Sequence, residues 1–391
     1  MTTLPPAPWT RRDGLSALAE ALGSNNIRWV GGAVRDTLLG IAVNDVDCAT
    51  PLRPEAVIEA CAVAGIRTVP TGIEHGTVTA IFEDGPVEVT TLRHDVSTDG
   101  RRATVAFADD WREDAARRDF TINALYAHPQ TLEIDDWFGG LADLEARRVR
   151  FIGDARQRIR EDHLRILRYF RFQARFGAEP DAEALSACSD LAETLKGISR
   201  ERVASELLAM LWLPDPVGTI GLMAETGVLA VVLPEARARE IAALERLVEA
   251  ERKQDVAAHP LRRLAALLPA VPTLAEAVSA RLRLSKAQRA RLTCVAERKA
   301  QDAARARPLA YEHGSDCAVD RVLLGGGSVE PLQNWSPPQL PLKGGEIVRR
   351  GVAAGPEVAR ILQAVERRWI EEDFPDRARV ETFLDDELTA N

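Results

Sequence analysis

Two aspartates one residue apart, Asp45 and Asp47 in NDVDCAT, follow a segment that opens with paired glycines, Gly31-Gly32, and carries Arg35. In a strand, residues i and i+2 share a face, so the two carboxylates project together while Val46 turns inward. Paired carboxylates share a proton, divide acid and base roles, or hold a divalent cation. Magnesium suits oxygen ligands and commonly leaves its remaining positions to substrate phosphates. The glycines make that third use concrete. Gly31-Gly32 lets the backbone approach a ligand closely, and a helix starting near Ala33 offers free N–H groups and a positive dipole end to phosphate. Arg35, in the first turn, reaches the same anion. Alone, this segment reads as a tight turn with a surface arginine, and the D-x-D ten residues past Arg35 turns the balance towards a phosphate site.

A third acid lies on VEVTTLR, where alternation sends Val87 and Val89 to the buried side and Glu88 with Thr90 to the other. Glu88 is a candidate general base for an attacking hydroxyl or a further metal contact; the alternative is a solvated strand residue.

The stretch EDHLRILRYFRFQARF carries a different chemistry. At about 100° per residue, Ile166, Leu167, Phe170 and Ala174 share one arc and form a core face. Arg165, Arg168, Arg171 and Arg175 share another, and no acid occurs between His163 and Ala178. Uncompensated arginines in an acidic protein point to an anionic ligand. Asp162 sits one turn before Arg165. A carboxylate accepts from an exocyclic amine and a guanidinium donates to ring nitrogens and carbonyl oxygens, so the two together suit the Watson–Crick edge of C or A. The competing reading is an interdomain strut.

These residues need a scaffold, and the chain supplies two kinds. IRWVG (27–31), VDCA (46–49), TVTAIF (77–82) and VEVTTL (87–92) read as strands, the last two joined as a hairpin by Glu83-Asp84-Gly85-Pro86. AVRDTLLG and RPEAVIEACAVAG read as helices ended by glycine. From about residue 154 helix follows helix: QRIREDHLRILRYFRFQARFG, DAEALSACSDLAETLKGI, RERVASELLAMLWL and onward, with a less ordered linker expected over 325–345. The segment 94–111, rich in mixed charge, reads as a loop over the active site or an ordinary surface loop.

Composition sets outer bounds. The 391 residues are 46% hydrophobic and 28% charged, enough for more than one globular core, and the net charge of -9 requires any nucleic-acid site to be a local basic patch. Five cysteines without a C-x-x-C pair argue against a disulfide framework or zinc knuckle and for a reducing compartment, with Cys48, Cys61 and Cys188 as core thiols. The N-terminus lacks a signal-like apolar run and no stretch of about 18 apolar residues occurs. A cytoplasmic protein with no membrane association and no evident protein partner is expected. Six scattered histidines have no metal-ligand spacing.

GGAVRD, DVD, VEVTTLR, RRDFTINALY (117–126), DWFGGLADL (136–144), EDHLRILRYFRF (161–172) and GISRERVASEL (197–207) occur in one order. Together they resemble the class II tRNA nucleotidyltransferases, the CCA-adding enzymes, and their bacterial poly(A) polymerase relatives, over about residues 27 to 210. The resemblance implies an α+β architecture: a nucleotidyltransferase head with a mixed sheet over 1–150, a helical neck with a nucleotide-selecting helix over 151–215, and a helical, RNA-binding body and tail over 216–391. It matches Asp45 and Asp47 to the metal-binding aspartates, Gly32 and Arg35 to triphosphate contacts, and Arg118 of Arg117-Arg118-Asp119 to a contact near the ribose. Asp162 and Arg165 match the pair that selects CTP and ATP, and Arg168 and Arg171 then lie near the phosphates or the base. Gly139-Gly140 reads as a hinge.

The expected activity is Mg2+-dependent addition of C and A from CTP and ATP to the tRNA 3' end without a nucleic-acid template, releasing pyrophosphate. Poly(A) synthesis, or addition of only CC or only A, are the alternatives within the family. A tRNA-binding protein without catalysis is the alternative outside it.

Overall fold

The structure, a computed structural model, describes residues 2–98 and 103–389. It divides into two compact units, Met1–Pro234 and Glu235–Asn391.

Helix α1 (Asp13–Leu22) leads into β1 (Arg28–Val30), α2 (Gly32–Leu38), β2 (Val46–Thr50), α3 (Pro54–Val63), β3 (Arg67–Gly72), β4 (Thr77–Ile81) and β5 (Val87–Thr91). With β8 (Tyr126–Ala127) and β9 (Ile134–Asp135) these strands form one sheet in the order β3-β4-β5-β2-β1-β8-β9. Only β2 and β5 run parallel, which requires a long connection, here α3 and the β3-β4 hairpin. The expected hairpin after Phe82 is present as the antiparallel pair β4-β5. Val46, Cys48, Val87 and Val89 are buried on one face, so the intervening Asp47 and Glu88 turn to the other.

Five strands, β3, β6 (Arg93–Thr98), β7 (Ala103–Phe107), β8 and β9, escape the sequence reading. β3 is an exposed edge strand containing Pro70, with little apolar alternation to mark it. β6 and β7 pair as a separate antiparallel hairpin where a loop is expected, and α4 (Trp111–Ala116) follows. Residues 99–102 lie outside the described residues.

After α5 (Gly140–Glu145), the first unit is helical: α6 (Ala155–Glu161), α7 (Arg165–Phe176), α8 (Ala182–Asp190), α9 (Arg200–Leu211), α10 (Val217–Glu225) and α11 (Val228–Val232). The expected neck thus shares a compact unit with the head. Gly139 and Gly140 have local reasons to be glycine: Gly139 has φ +76°, and a Cβ on Gly140 would lie 2.3 Å from the Thr121 carbonyl oxygen.

The second unit is built from α12 (Ala238–Lys253), α13 (Pro260–Ala266), α14 (Pro272–Arg281), α15 (Lys286–Ala296), α16 (Ala306–His313), α17 (Ser315–Leu324), α18 (Gly344–Arg349), α19 (Pro356–Glu371) and α20 (Arg377–Thr389). The last helices close on Ile347, Ile361, Val365, Trp369 and Phe383. Buried charges are paired: Arg262 donates to Glu251 and Asp320 at 2.6 and 2.7 Å, Arg263 to Glu251 at 2.8 Å, and Arg321 to Asp302 at 2.8 Å. The expectation of no disulfide is corrected here. Cys294 on α15 and Cys317 on α17 are bonded, because helix packing brings together two cysteines that sequence spacing leaves 23 residues apart. Cys48, Cys61 and Cys188 are free and buried, as expected. No described helix is long and apolar enough to cross a membrane.

Candidate active site

The parallel pairing of β2 with β5 puts Asp47 directly beside Glu88 in register. Both open into a cavity of about 530 Å3 whose walls include Gly31 and Gly32 on one side and Asp162, Arg165 and Arg168 on the other. Burial first, then the like charge of Glu88, holds the Asp47 carboxyl above its ordinary value; Arg118 opposes this and Asp45 adds to it. Asp45 lies one residue before β2, is exposed, and is outside the cavity wall, though near enough for its charge to act on Asp47. Among the described residues no group of three or more His, Cys, Asp or Glu is arranged to hold a metal ion. A two-carboxylate site completed by substrate phosphate needs no such group.

The glycine turn has a steric cause. Gly31 has φ +67°, and a Cβ there would sit 3.3 Å from an Arg118 terminal nitrogen, so the backbone passes close under that guanidinium. Arg118 donates to the Tyr126 hydroxyl at 2.8 Å and to Asp114 at 3.3 Å. Burial disfavours its charge, but Tyr126 and Asp114 outweigh that and hold its pKa above the ordinary arginine value.

Arg35 lines the same cavity but is no loose phosphate hook. It is buried, donates to Asp36 at 2.8 Å and to the Asn123 side-chain oxygen at 2.5 Å, and lies over the rings of Phe176 and Phe172. Burial pushes its pKa down, against the pull of Asp36. The guanidinium therefore arrives at the cavity already oriented.

The arginine helix differs from the expectation in two ways. The helical run breaks at Asp162, whose extended backbone (φ -146°) ends α6 and whose side chain accepts from the Leu164 N–H at 3.1 Å. Asp162 and Arg165 are thus presented from a break and the helix start that follows it. Second, the arginines are compensated, Arg165 by the acid four residues before it and the other three by acids from distant segments. Arg165 donates to Glu161 at 2.7 Å, Arg168 to Asp119 at 2.7 Å, Arg171 to Glu206 at 2.6 Å, and Arg175 to Asp36 at 3.1 Å. Asp162 itself accepts from Arg202 on α9 at 2.7 Å. Arg168 reaches the cavity and Arg171 does not. Ile166, Leu167 and Phe170 form the buried face as expected.

Residues 27–150 match the family described as the poly A polymerase head domain, and 178–239 the one described as a probable RNA and SrmB-binding site of polymerase A. The CCA tRNA nucleotidyltransferase 1, mitochondrial, of Mus musculus is 37% identical over 383 residues, covering 91% of this chain and 86% of that protein. The chain belongs to the class II CCA-adding enzyme and poly(A) polymerase family. A CCA-adding enzyme of Streptococcus pneumoniae is 45% identical over 190 residues, 47% of this chain and 46% of that protein. The crystal structure of the Bacillus stearothermophilus CCA-adding enzyme in complex with CTP superposes with a TM-score of 0.75 at 27% identity, covering 97% of this chain and 99% of that one.

For a member of this family, the sequence reading left out the residues that hold the cavity's cations. Asp119 and Asn123, four apart in RRDFTINALY, join the two walls: Asn123 accepts from Arg35 and donates to Asp119 at 3.0 Å, and Asp119 accepts from Arg168. Asp114 is 1% exposed and takes Arg117, Arg118 and the Tyr126 hydroxyl. Its spacing of three and four before those arginines on a helix is a local signal that could have found it. No local signal marks Glu206 or Arg202, which arrive from α9.

Proposed function

We infer that this protein extends the 3' end of tRNA, adding C and A from CTP and ATP without a nucleic-acid template and releasing pyrophosphate. The observation that carries this reading is one cavity with Asp47 and Glu88 on paired strands at one wall and Asp162 with Arg165 at the other. The first pair suits phosphoryl chemistry and the second a base edge. The likeness to a CCA tRNA nucleotidyltransferase over 91% of this chain and 86% of that protein supports the same activity.

Asp162 accepts from the exocyclic amine of C or A, and Arg165 donates to the ring nitrogen or carbonyl. Arg202 orients the Asp162 carboxylate, and Glu161 with the carbonyl oxygens of Arg158 and Arg117 orients the Arg165 guanidinium. Gly31-Gly32 meets the triphosphate with Arg35 behind it, and Arg118 lies near the ribose. Glu88 takes the proton of the terminal 3' hydroxyl as its oxygen attacks the α-phosphate and the bond to the departing pyrophosphate breaks.

The donor set fits a hard divalent cation: Asp47 and Asp45 offer carboxylate oxygens, and a cation would offset both the burial and the Glu88 charge that raise Asp47. Magnesium held by Asp45 and Asp47 would neutralise triphosphate charge and lower the pKa of the attacking hydroxyl. The buried free thiols support the cytoplasmic compartment, and the Cys294–Cys317 bond weighs against it.

The test supplies tRNA lacking its 3' end with CTP, ATP or both in magnesium, and sequences the product. Complete CCA with both nucleotides supports the reading. Long A runs, CC alone or A alone would reassign the activity within the family, and tRNA binding without incorporation would replace the enzyme with a binding protein.

A further inference from the structure

The Cys294–Cys317 bond stands beside three thiols that stay free, Cys48, Cys61 and Cys188. A single bond among free thiols fits reversible chemistry better than a disulfide framework. The two bonded sulfurs are not equally placed. Cys61 and Cys188 are fully buried, whereas Cys294 is only half-buried and lines, with Cys317, a cavity of about 390 Å3 whose walls also include His259, Ala287 and Arg291. Cys317 is 4% exposed. A thiol entering the cavity therefore meets the Cys294 sulfur first.

Breaking the bond from that side makes Cys317 the leaving group, and its surroundings suit a thiolate. It is the third residue of α17, in the turn whose first N–H groups have no acceptor within the helix. Asp316 and Asp320 flank it and oppose a negative charge, but both are already paired. Arg291 donates to Asp316 at 2.8 Å and to Asp320 at 2.7 and 3.0 Å, and Arg262 donates to Asp320 at 2.7 Å. Those ion pairs have a second consequence. Arg291 lies one turn before Cys294 on α15, so α15 and α17 stay joined beside the sulfurs when the covalent bond is open. The two thiols are thus kept near each other for the bond to form again.

We propose that Cys294–Cys317 is a thiol-exchange site, at which a low-molecular-weight thiol of the glutathione type joins Cys294 and frees Cys317. The incoming thiolate attacks the Cys294 sulfur, the Cys294–Cys317 bond breaks, and Cys317 departs with the electron pair as a thiolate. A second thiolate then attacks the outer sulfur of the adduct, forming the disulfide of the two small thiols and releasing Cys294 as a thiolate. Two thiols are oxidised and one protein disulfide is reduced, and the oxidised small thiol reverses both steps. The second unit thereby carries a covalent tie between α15 and α17 that follows the thiol poise around it.

Native protein is equilibrated with reduced and oxidised glutathione over a range of ratios and alkylated, each cysteine is read by peptide mass spectrometry, and circular dichroism is recorded on the same samples. Cys294 and Cys317 are expected to pass from bonded to alkylated and back without denaturant and with helix content unchanged, while Cys61 and Cys188 are alkylated only after unfolding. Cys317→Ser and Cys294→Ser separate the two sulfurs. With oxidised glutathione, the thiol left at Cys294 should form the mixed disulfide roughly tenfold faster than the one left at Cys317, because access separates them. A bond that opens only in denaturant, thiols that stay free in oxidised glutathione, or equal or faster reaction at Cys317 would each overturn the proposal. So would loss of helix on reduction, which would make the bond a requirement of the fold.

Discussion

Arg168 and Asp119 form a two-point ion pair, with Nε and a terminal nitrogen of the guanidinium 2.7 and 2.6 Å from the same carboxylate oxygen. The pair links α7 to the segment between α4 and β8, and through Asn123 it reaches Arg35 at the glycine turn. Helix α7 is therefore tied to α2 and to the segment before β8 through side chains that also line the cavity.

Asp119→Asn should destabilise the first unit by roughly 2–3 kcal/mol, below the upper range for a broken buried pair because Arg168 is about a third exposed. Burial pushes the Asp119 carboxyl up, but Arg168 and Asn123 more than offset it and hold its pKa below the ordinary value. A depressed folded pKa means the contribution is present above the unfolded value, about 4, and is lost as pH falls through the folded one. Thermal melts at neutral pH and below pH 4 check both points. Equal stability of wild type and variant at neutral pH would remove the pair from the account.

Asp47→Ala should abolish nucleotide incorporation while leaving tRNA affinity nearly unchanged, since in the proposed function this carboxylate serves the phosphates and not the tRNA body. Retained turnover would refute its assignment to the cation.

Glu88→Gln separates two roles. In the proposed role the proton and the cation compete for Asp47, and burial, then Glu88, raises its pKa, so the acid limb of activity should lie at higher pH than an unperturbed carboxylate would set it. Removing the Glu88 charge should move that limb to lower pH. If Glu88 is also the general base, kcat falls by about 100-fold or more at every pH; a shifted limb with near-normal kcat leaves it only an electrostatic neighbour.

Arg165→Ala should degrade discrimination among the four nucleotides more than it degrades triphosphate binding. Glu161→Gln, which removes the charge holding Arg165, should show a weaker version of the same pattern. An equal loss for all four nucleotides would exclude the base-reading role.

Reduction of Cys294–Cys317 should lower the stability of the second unit by about 3 kcal/mol, the chain-entropy value for a loop of this length. Melts with and without a thiol reductant check it, and coincident transitions would count against any contribution.

Much of the site was legible because its signals are local. The D-x-D spacing and the alternation of Val87, Glu88 and Val89 fix which way these side chains turn, and the structure puts Asp47 and Glu88 on the expected face. Ile166, Leu167 and Phe170 likewise take the core face that a 3.6-residue period requires. The weak strands were not legible, because β3 is an exposed edge and β8 and β9 are two residues each. A short or solvated strand has too few apolar positions to show a period.

By itself, the sequence determined the types and faces of the chemical groups: two neighbouring acids after a glycine turn, and a helix with one apolar and one arginine-bearing side. Only the tertiary structure decided which charges meet. The acids that hold Arg168, Arg171 and Arg175 come from 49, 35 and 139 residues away, and Cys294 finds Cys317 across two helices. Periodicity constrains a side chain's direction within its own element, whereas electrostatic pairing depends on distances that exist only once separate elements have packed.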